Sequence, residues 1–421
     1  MDKILIEGGK RLEGRIAVSA AKNAALPIMA TALLADEPVL LENVPDLADI
    51  SSMRRLLQLL GVEAVHKAGV PGRMALHCPE LLSTTAPYDL VRKMRASVLV
   101  LGPLLARAGE ARVSLPGGCA IGTRPVDIHL SGLEAMGAVI DLDAGYIHAT
   151  TPKGLRGGTF RMPMPSVGAT ENLMMAATLA QGATRLQNCA CEPEIVDLAA
   201  CLTAMGARIE GAGTPDIRIE GVGRLHGATH RIIPDRIETA TYAMAAGITR
   251  GRIEVDGADL ALFGDALDKL RATGLVIEAT PTGIVVDGAD RRPVGVDVMT
   301  QPFPGFATDL QAQFMALMCV ADGAAMITET IFENRFMHVP ELMRMGARIT
   351  VQGSSALVRG VDQLKGAPVM ATDLRASVSL VLAGLAANGT TEVHRIYHLD
   401  RGYAGLEGKL RACGAQIERV A

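Results

Sequence analysis

Met205-Gly206-Ala207-Arg208-Ile209 stands again, letter for letter, at Met345-Gly346-Ala347-Arg348-Ile349. Looser copies occur at Leu60-Gly61-Val62-Glu63-Ala64-Val65, Met136-Gly137-Ala138-Val139-Ile140, Thr273-Gly274-Leu275-Val276-Ile277 and Cys413-Gly414-Ala415-Gln416-Ile417. The glycines of the series step by 76, 69, 68, 72 and 68 residues. In every copy a helical pattern runs into Gly and a β-like stretch follows at once. A left-handed Gly at a helix C-terminus stops the helix and delivers the chain directly into a strand. The chain is therefore read as six copies of one unit.

Each unit carries a second helix of another character, rich in Ala, Leu and Met: Lys22 to Ala35, Arg95 to Ala108, Thr170 to Ala180, Asp235 to Thr249, Asp309 to Ala321 and Asp373 to Ala387. These are apolar on nearly every face, which predicts burial all round. Ser51-Ser52-Met53-Arg54-Arg55-Leu56-Leu57 and its counterparts are amphipathic and predicted to face water on one side. Helices inside and sheets outside is the architecture this implies. Charges gather at the amino ends of the buried helices: Lys22, Arg95, Glu171, Arg236, Glu238, Asp309, Asp373 and Arg375. Two readings fit. Either the charges mark where buried helices reach solvent, or several helix N-termini, each a positive dipole end, point into one anion-binding cleft.

With 421 residues, 49% apolar and 20% charged, the chain is an ordinary globular protein with room for more than one core. A net charge of −4 without long Lys/Arg runs argues against nucleic acid as a partner. The longest uncharged stretch, Ala376 to Thr391, is interrupted by Gly384, Asn388 and Gly389 and is too short for a membrane span. Met1-Asp2-Lys3 leads straight into strand-like Ile4-Leu5-Ile6, so no secretion signal is expected. Seven scattered cysteines without a CxxC pair fit a reducing cytoplasm and do not fit a zinc site.

One of those cysteines has unusual neighbours. In Leu115-Pro116-Gly117-Gly118-Cys119-Ala120-Ile121-Gly122-Thr123-Arg124-Pro125, three glycines permit tight turns and close approach to a ligand. Arg124 brings a cation suited to phosphate or carboxylate. The pattern reads as a reactive cysteine on a mobile lid, or as a surface turn holding an inert buried thiol.

The six repeats, this loop, and the strings Ser19-Ala20-Ala21-Lys22-Asn23-Ala24-Ala25-Leu26-Pro27, Phe306-Ala307-Thr308-Asp309-Leu310-Gln311, Phe332-Glu333-Asn334-Arg335-Phe336-Met337-His338 and Asp400-Arg401-Gly402-Tyr403 together resemble the UDP-N-acetylglucosamine 1-carboxyvinyltransferase family of enolpyruvyl transferases. The resemblance covers essentially the whole chain. It implies a two-domain inside-out α/β barrel built from six βαβαββ-type units, three per domain. The domains expected are 22–233, and a discontinuous one of 1–21 with 234–421. The active site is expected between domains that close over the nucleotide sugar.

The implied reaction moves the enolpyruvyl group of phosphoenolpyruvate to the 3-hydroxyl of UDP-N-acetylglucosamine, by addition to a tetrahedral ketal and then loss of phosphate. It needs an acid for the methylene carbon, a base for the sugar hydroxyl, and cations for a carboxylate and a phosphate. By resemblance Cys119 is the acid, able to add to phosphoenolpyruvate and to take the epoxide fosfomycin. Asp309 is the candidate base, with helix capping, which Thr308 could equally supply, as the alternative. Lys22, Arg95, Arg124 and Arg401 match the anion-binding positions. Asp373 and Arg375 match residues that link the closed halves, an ordinary salt bridge being the other reading. Asn23, Arg124, Pro125, Val126, Asp127, Ile128, Ser166, Val167, Gly168 and Ile331 match nucleotide-sugar contacts, Gly168 lying at a helix start suited to a diphosphate. No cofactor or metal is implied. The expected partners are the two small-molecule substrates, without nucleic acid or membrane insertion.

Two positions depart from the family pattern. Ala20 stands where the family often has Gly, and Met164-Pro165 stands where some members carry a lysine, a change that bears on one charged diphosphate contact. The nearest rival is an enolpyruvyl transferase acting on shikimate 3-phosphate, which has no need of a cysteine lid. A non-catalytic nucleotide-sugar-binding paralogue is the second, though Cys119, Asp309 and Lys22 are all retained. A cysteine hydrolase would need a base for the thiol, for which His129 is the only suggestion.

Overall fold

The computed structural model describes residues 2–66, 72–116 and 126–420. Cys119, Arg124 and Pro125 lie outside them.

All six series glycines are left-handed, with φ from +90° at Gly414 to +114° at Gly61. At five of them the next amide bonds back across the turn: Val62 to Leu57, Ala138 to Leu133, Ala207 to Leu202, Ala347 to Leu342 and Ala415 to Leu410. That bond satisfies a carbonyl the ending helix would leave orphaned. A strand then begins within two residues, as at Val139–Asp143 and Arg348–Gln352.

The strands form six four-stranded sheets of one design. In one, Thr85–Ala86 lies parallel to Glu110–Ser114, which is antiparallel to Tyr146–Thr150, itself antiparallel to Val139–Asp143. The short parallel edge strand always arrives from the preceding repeat. The series therefore closes on itself twice. Ala228–Arg231, after the third repeat, returns to pair with Val39–Glu42 of the first. Lys3–Glu7 fills the hairpin position of the sixth repeat, between Thr390–His394 and Gln416–Val420, and Glu13–Ala17 then supplies the parallel edge beside Arg252–Asp256 of the fourth. The result is two compact units, one of 20–116 with 126–233 and the other of 2–19 with 234–420.

In each unit three helices are buried on all sides. Every residue of Gln311–Met318 is buried, as is every residue from Ile237 to Thr249 and from Arg375 to Leu385. Small side chains let these helices approach closely: a methyl on Gly102 would stand 2.4 Å from the Asn172 backbone oxygen. Four of the six differ in detail from their sequence reading. Lys22–Ala30 continues as a 3-10 turn over Thr31–Leu34, Arg95–Val100 is 3-10 before Leu101–Ala108, the third begins at Val167 rather than Thr170, and the fifth opens as a 3-10 turn over Thr308–Leu310 before Gln311–Met318. The amphipathic expectation holds for Ala48–Leu60, which buries Ile50, Met53, Leu56, Leu57 and Leu60 on one face. Pro193–Ala204 departs from it. It buries Asp197, because that carboxylate receives His230 Nε2 at 2.8 Å and the Ile233 amide at 3.2 Å. Among the described residues no helix is long and apolar enough to cross a membrane.

Candidate active site

In the unit holding residues 234–420, the amino ends of the buried helices bring their charges together. Asp309 lies in a 3-10 turn, Thr308–Leu310, that opens the helix Gln311–Met318. Its Oδ1 accepts from Arg335 Nη2 and its Oδ2 from Arg375 Nη2, both at 2.8 Å. The two arginine side chains are only 4% and 6% exposed, whereas Asp309 keeps 27%. Burial alone would raise the Asp309 carboxyl, but the two guanidiniums outweigh it and hold the group well below the usual carboxylate range. A carboxylate offers about four lone-pair directions, and the arginines use two of them.

The capping alternative fails for both candidates. Ala307 occupies the cap position without a side-chain bond, and Thr308 turns away to donate to Glu329 Oε2 at 2.9 Å. Glu329 is buried, and its other oxygen accepts from Thr300 Oγ1 at 2.8 Å and from the Ile331 and Phe332 amides at 2.8 and 3.1 Å. One carboxylate thus ties the Asp309 turn to the segment carrying Ile331. Neither Glu329 nor Arg335 is singled out by sequence reasoning.

Asp373 caps the helix Leu374–Ala386, accepting from the Arg375 and Ala376 amides at 2.8 and 3.1 Å. Arg375 points back to Asp309 and to Tyr403, within its own unit. Arg401 closes the 3-10 turn Ile396–Arg401, two residues before Tyr403. Burial and then the Arg401 charge lower the neighbouring His398, against Asp373.

In the unit holding residues 20–116 and 126–233, Lys22 opens its buried helix and pairs with Asp49 at 3.3 Å, both largely buried. Asn23 follows it, half-buried. Asn172 links two buried helices to a third element: its Oδ1 accepts from Gly102 N at 2.7 Å, and its Nδ2 lies 3.3 Å from the Val98 oxygen and 3.0 Å from His129 Nδ1. Burial, with the Arg95 charge adding to it, lowers His129 to about 3. A neutral imidazole locked on Asn172 does not suit the thiol base that a hydrolase would need. Asn172→Leu takes the side-chain partner from the Gly102 amide and from His129 Nδ1, while the Val98 carbonyl keeps the Leu101 amide. At ~1–3 kcal/mol for each buried group left unpaired, a drop in unfolding free energy of roughly 3 kcal/mol is expected in denaturant titration.

His129 also joins two of the predicted nucleotide-sugar segments. It belongs to the helix Asp127–Ala135 that follows Val126, and a methyl placed on Gly168 would stand 3.3 Å from its Cε1. Asp127 and Ile128 are therefore close in space to the Ser166-Val167-Gly168 turn, although about forty residues separate them in sequence. Ser166 caps the helix Val167–Ala177 by accepting from Ala169 N at 3.3 Å, and Met164 stands exposed just before it.

The profile of the EPSP synthase (3-phosphoshikimate 1-carboxyvinyltransferase) family matches residues 6–410. Relatives cover the chain end to end. A UDP-N-acetylglucosamine 1-carboxyvinyltransferase of Granulibacter bethesdensis is 63% identical over 420 residues, covering 100% of both proteins. One of Caulobacter vibrioides is 59% identical over 421 residues, covering 100% of this chain and 98% of that protein. The chain belongs to the UDP-N-acetylglucosamine 1-carboxyvinyltransferase family. Among solved structures, the enolpyruvyl transferase NikO of Streptomyces tendae superposes on the family member described here with a TM-score of 0.90 at 26% identity, covering 100% of this chain and 99% of NikO. An EPSP synthase of Acinetobacter baumannii, at 18% identity, TM-score 0.79 and full coverage of both chains, shares the fold. The six repeats and two closures are accordingly those of an enolpyruvyl transferase.

Proposed function

We propose that this chain is the transferase of its close relatives, moving the enolpyruvyl group of phosphoenolpyruvate to the 3-hydroxyl of UDP-N-acetylglucosamine with release of phosphate, the first committed step of peptidoglycan synthesis. Both substrates are small molecules. The observation that carries the reading is 63% identity over the full length to an enzyme of that name, against 18% to an EPSP synthase structure. The Cys119 loop supports it independently, since addition of phosphoenolpyruvate to a shikimate phosphate has no use for a thiol.

In this reading the chemistry divides among named groups. Asp309 accepts the sugar hydroxyl on the lone pairs its arginines leave unused and takes the proton as the new C–O bond forms. Its low basicity in the ion-paired arrangement means that orientation comes first, and transfer is completed only as positive charge on the reacting hydroxyl grows. Cys119 protonates the methylene carbon. Lys22, Arg95, Arg124 and Arg401 neutralise the carboxylate and phosphate, whose charge rises again as phosphate departs. Asn23, Pro125, Val126, Asp127, Ile128, Ser166, Val167, Gly168, Ile331 and Asp373 hold the nucleotide sugar.

Phosphate release from phosphoenolpyruvate, measured with each acceptor in turn, tests the reading. UDP-N-acetylglucosamine is expected to be used at least ~100-fold better than shikimate 3-phosphate, because buried polar groups matched to one acceptor are left unpaired by the other. A preference for shikimate 3-phosphate would replace the assignment.

A further inference from the structure

Behind the Asp309–Arg375 pair lies a second polar layer that no step of the reaction touches. Tyr403, 2% exposed, places its hydroxyl 3.3 Å from Arg375 Nη1, 3.2 Å from Gln313 Nε2 and 3.0 Å from Thr241 Oγ1. The proton positions follow from the chemistry. Arg375 and Gln313 only donate here, and the Thr241 hydroxyl gives its own proton to the Ile237 carbonyl at 2.7 Å. The Tyr403 hydroxyl therefore accepts from Arg375 and Gln313 and donates to Thr241, which fully satisfies it. Gln313 Nε2 also donates to the Asp309 backbone carbonyl at 2.9 Å.

We infer that Tyr403, supported by Gln313 and Thr241, is a positioning residue that sets the Arg375 guanidinium and, through it, the Asp309 carboxylate. The inference rests on the reading of Asp309 as the base. Arg375 has one terminal nitrogen on Asp309 and the other on Tyr403, so the hydroxyl fixes the rotation of the planar fork about its stem. Gln313 fixes the same turn from the backbone side. Thr241, Gln313 and Arg375 come from the helices Arg236–Thr249, Gln311–Met318 and Leu374–Ala386, so the hydroxyl is the point where three buried helices agree on one geometry. Misplacement of a reacting carboxylate by a fraction of an ångström slows transfer without weakening substrate binding in proportion.

The test is Tyr403→Phe, which keeps the ring and removes the one acceptor, studied alone and together with Asp309→Asn in the full-length protein. Turnover of Tyr403→Phe is expected to fall about tenfold, the scale of one hydrogen bond to a charged group. KM for each substrate should stay within about twofold, since uniform binding is not what is lost. Once Asp309 is already Asn, the same change should cost less than about twofold more, because two residues acting through one contact are not additive. Normal turnover of Tyr403→Phe beside a slow Asp309→Asn would overturn the inference and leave the base reading standing. An equal loss in both backgrounds would also overturn it, showing that Tyr403 does not act through Asp309. Normal turnover of Asp309→Asn would remove the base reading and this inference together. Thermal unfolding of each variant, followed beside the kinetics, separates slow but folded enzyme from unfolded protein.

Discussion

Alkylation at neutral pH with a limiting thiol reagent, or treatment with fosfomycin, is expected to modify Cys119 and to spare the other six cysteines. Those six are poor nucleophiles for a common reason. Cys78, Cys189, Cys201, Cys319 and Cys413 are buried and Cys191 is half-buried. Burial pushes Cys189, Cys201 and Cys319 up to about 12 and Cys413 to about 11, and raises Cys78 and Cys191 as well. A thiol at about 12 holds about a thousandfold less thiolate at neutral pH than one at its ordinary 9.0, and thiolate is the reacting form. Cys119 sits in sequence among Gly117, Gly118 and Gly122 with Arg124 near, the composition of an exposed thiol beside a cation. Peptide mapping reads the result, and adduct on Cys189 or Cys191 in place of Cys119 would defeat the assignment of the loop. Cys119→Asp keeps a proton donor without a sulfur nucleophile, so it should retain appreciable turnover and resist the epoxide. Cys119→Ala or Cys119→Ser should lose much more.

Asp309→Asn should bind both substrates and slow turnover at least ~100-fold, the low end for loss of a general base. The variant also tests the ion-pair geometry. Asn can still accept a hydrogen bond from one arginine, but Arg335 and Arg375 lose the charge that offsets their burial. Removing one partner of a fully buried pair costs ~3–5 kcal/mol, and the partial exposure of Asp309 lowers that figure. Thermal unfolding should therefore show a moderate loss, and steady-state kinetics a large one. Asp309→Ala should be no faster than Asp309→Asn and less stable, since both arginines then lose their acceptor. Near-normal turnover in Asp309→Asn would reduce the carboxylate to an anchor for two arginines and require another base.

The sequence alone determined those features whose physical cause is local. A left-handed backbone at a helix end favours Gly, so the six glycines from Gly61 to Gly414 disclose the repeat without any knowledge of packing. A helix that is apolar all round has nowhere to go but inside, which makes Arg236–Thr249 and Gln311–Met318 legible as buried. The loop around Cys119 and the dispersed strings that resemble the enolpyruvyl transferases are likewise properties of the letters. Helix starts are less legible in the letters. Asp309 and Thr308 look like caps, because short polar side chains before an apolar run usually are. Only the fold shows a 3-10 opening in which Thr308 serves Glu329 and Asp309 serves two arginines.

Tertiary structure alone decided what each charged group does, because electrostatic partners are chosen by distance in space. Arg335 and Arg375 lie 26 and 66 residues from Asp309, and no periodicity links them to it. Tyr403 is 162 residues from Thr241 and 90 from Gln313, yet one hydroxyl satisfies both and fixes Arg375. His129, which sequence leaves open as a base, is silenced by burial and by Asn172, 43 residues away. The closure of each ring of sheets is of the same kind. Lys3–Glu7 reads as a strand from its letters, but its place between Thr390–His394 and Gln416–Val420 is set by the one gap that the sixth repeat leaves unfilled. A strand's pattern states that it must pair and bury one face, and the fold alone supplies the edges that complete it.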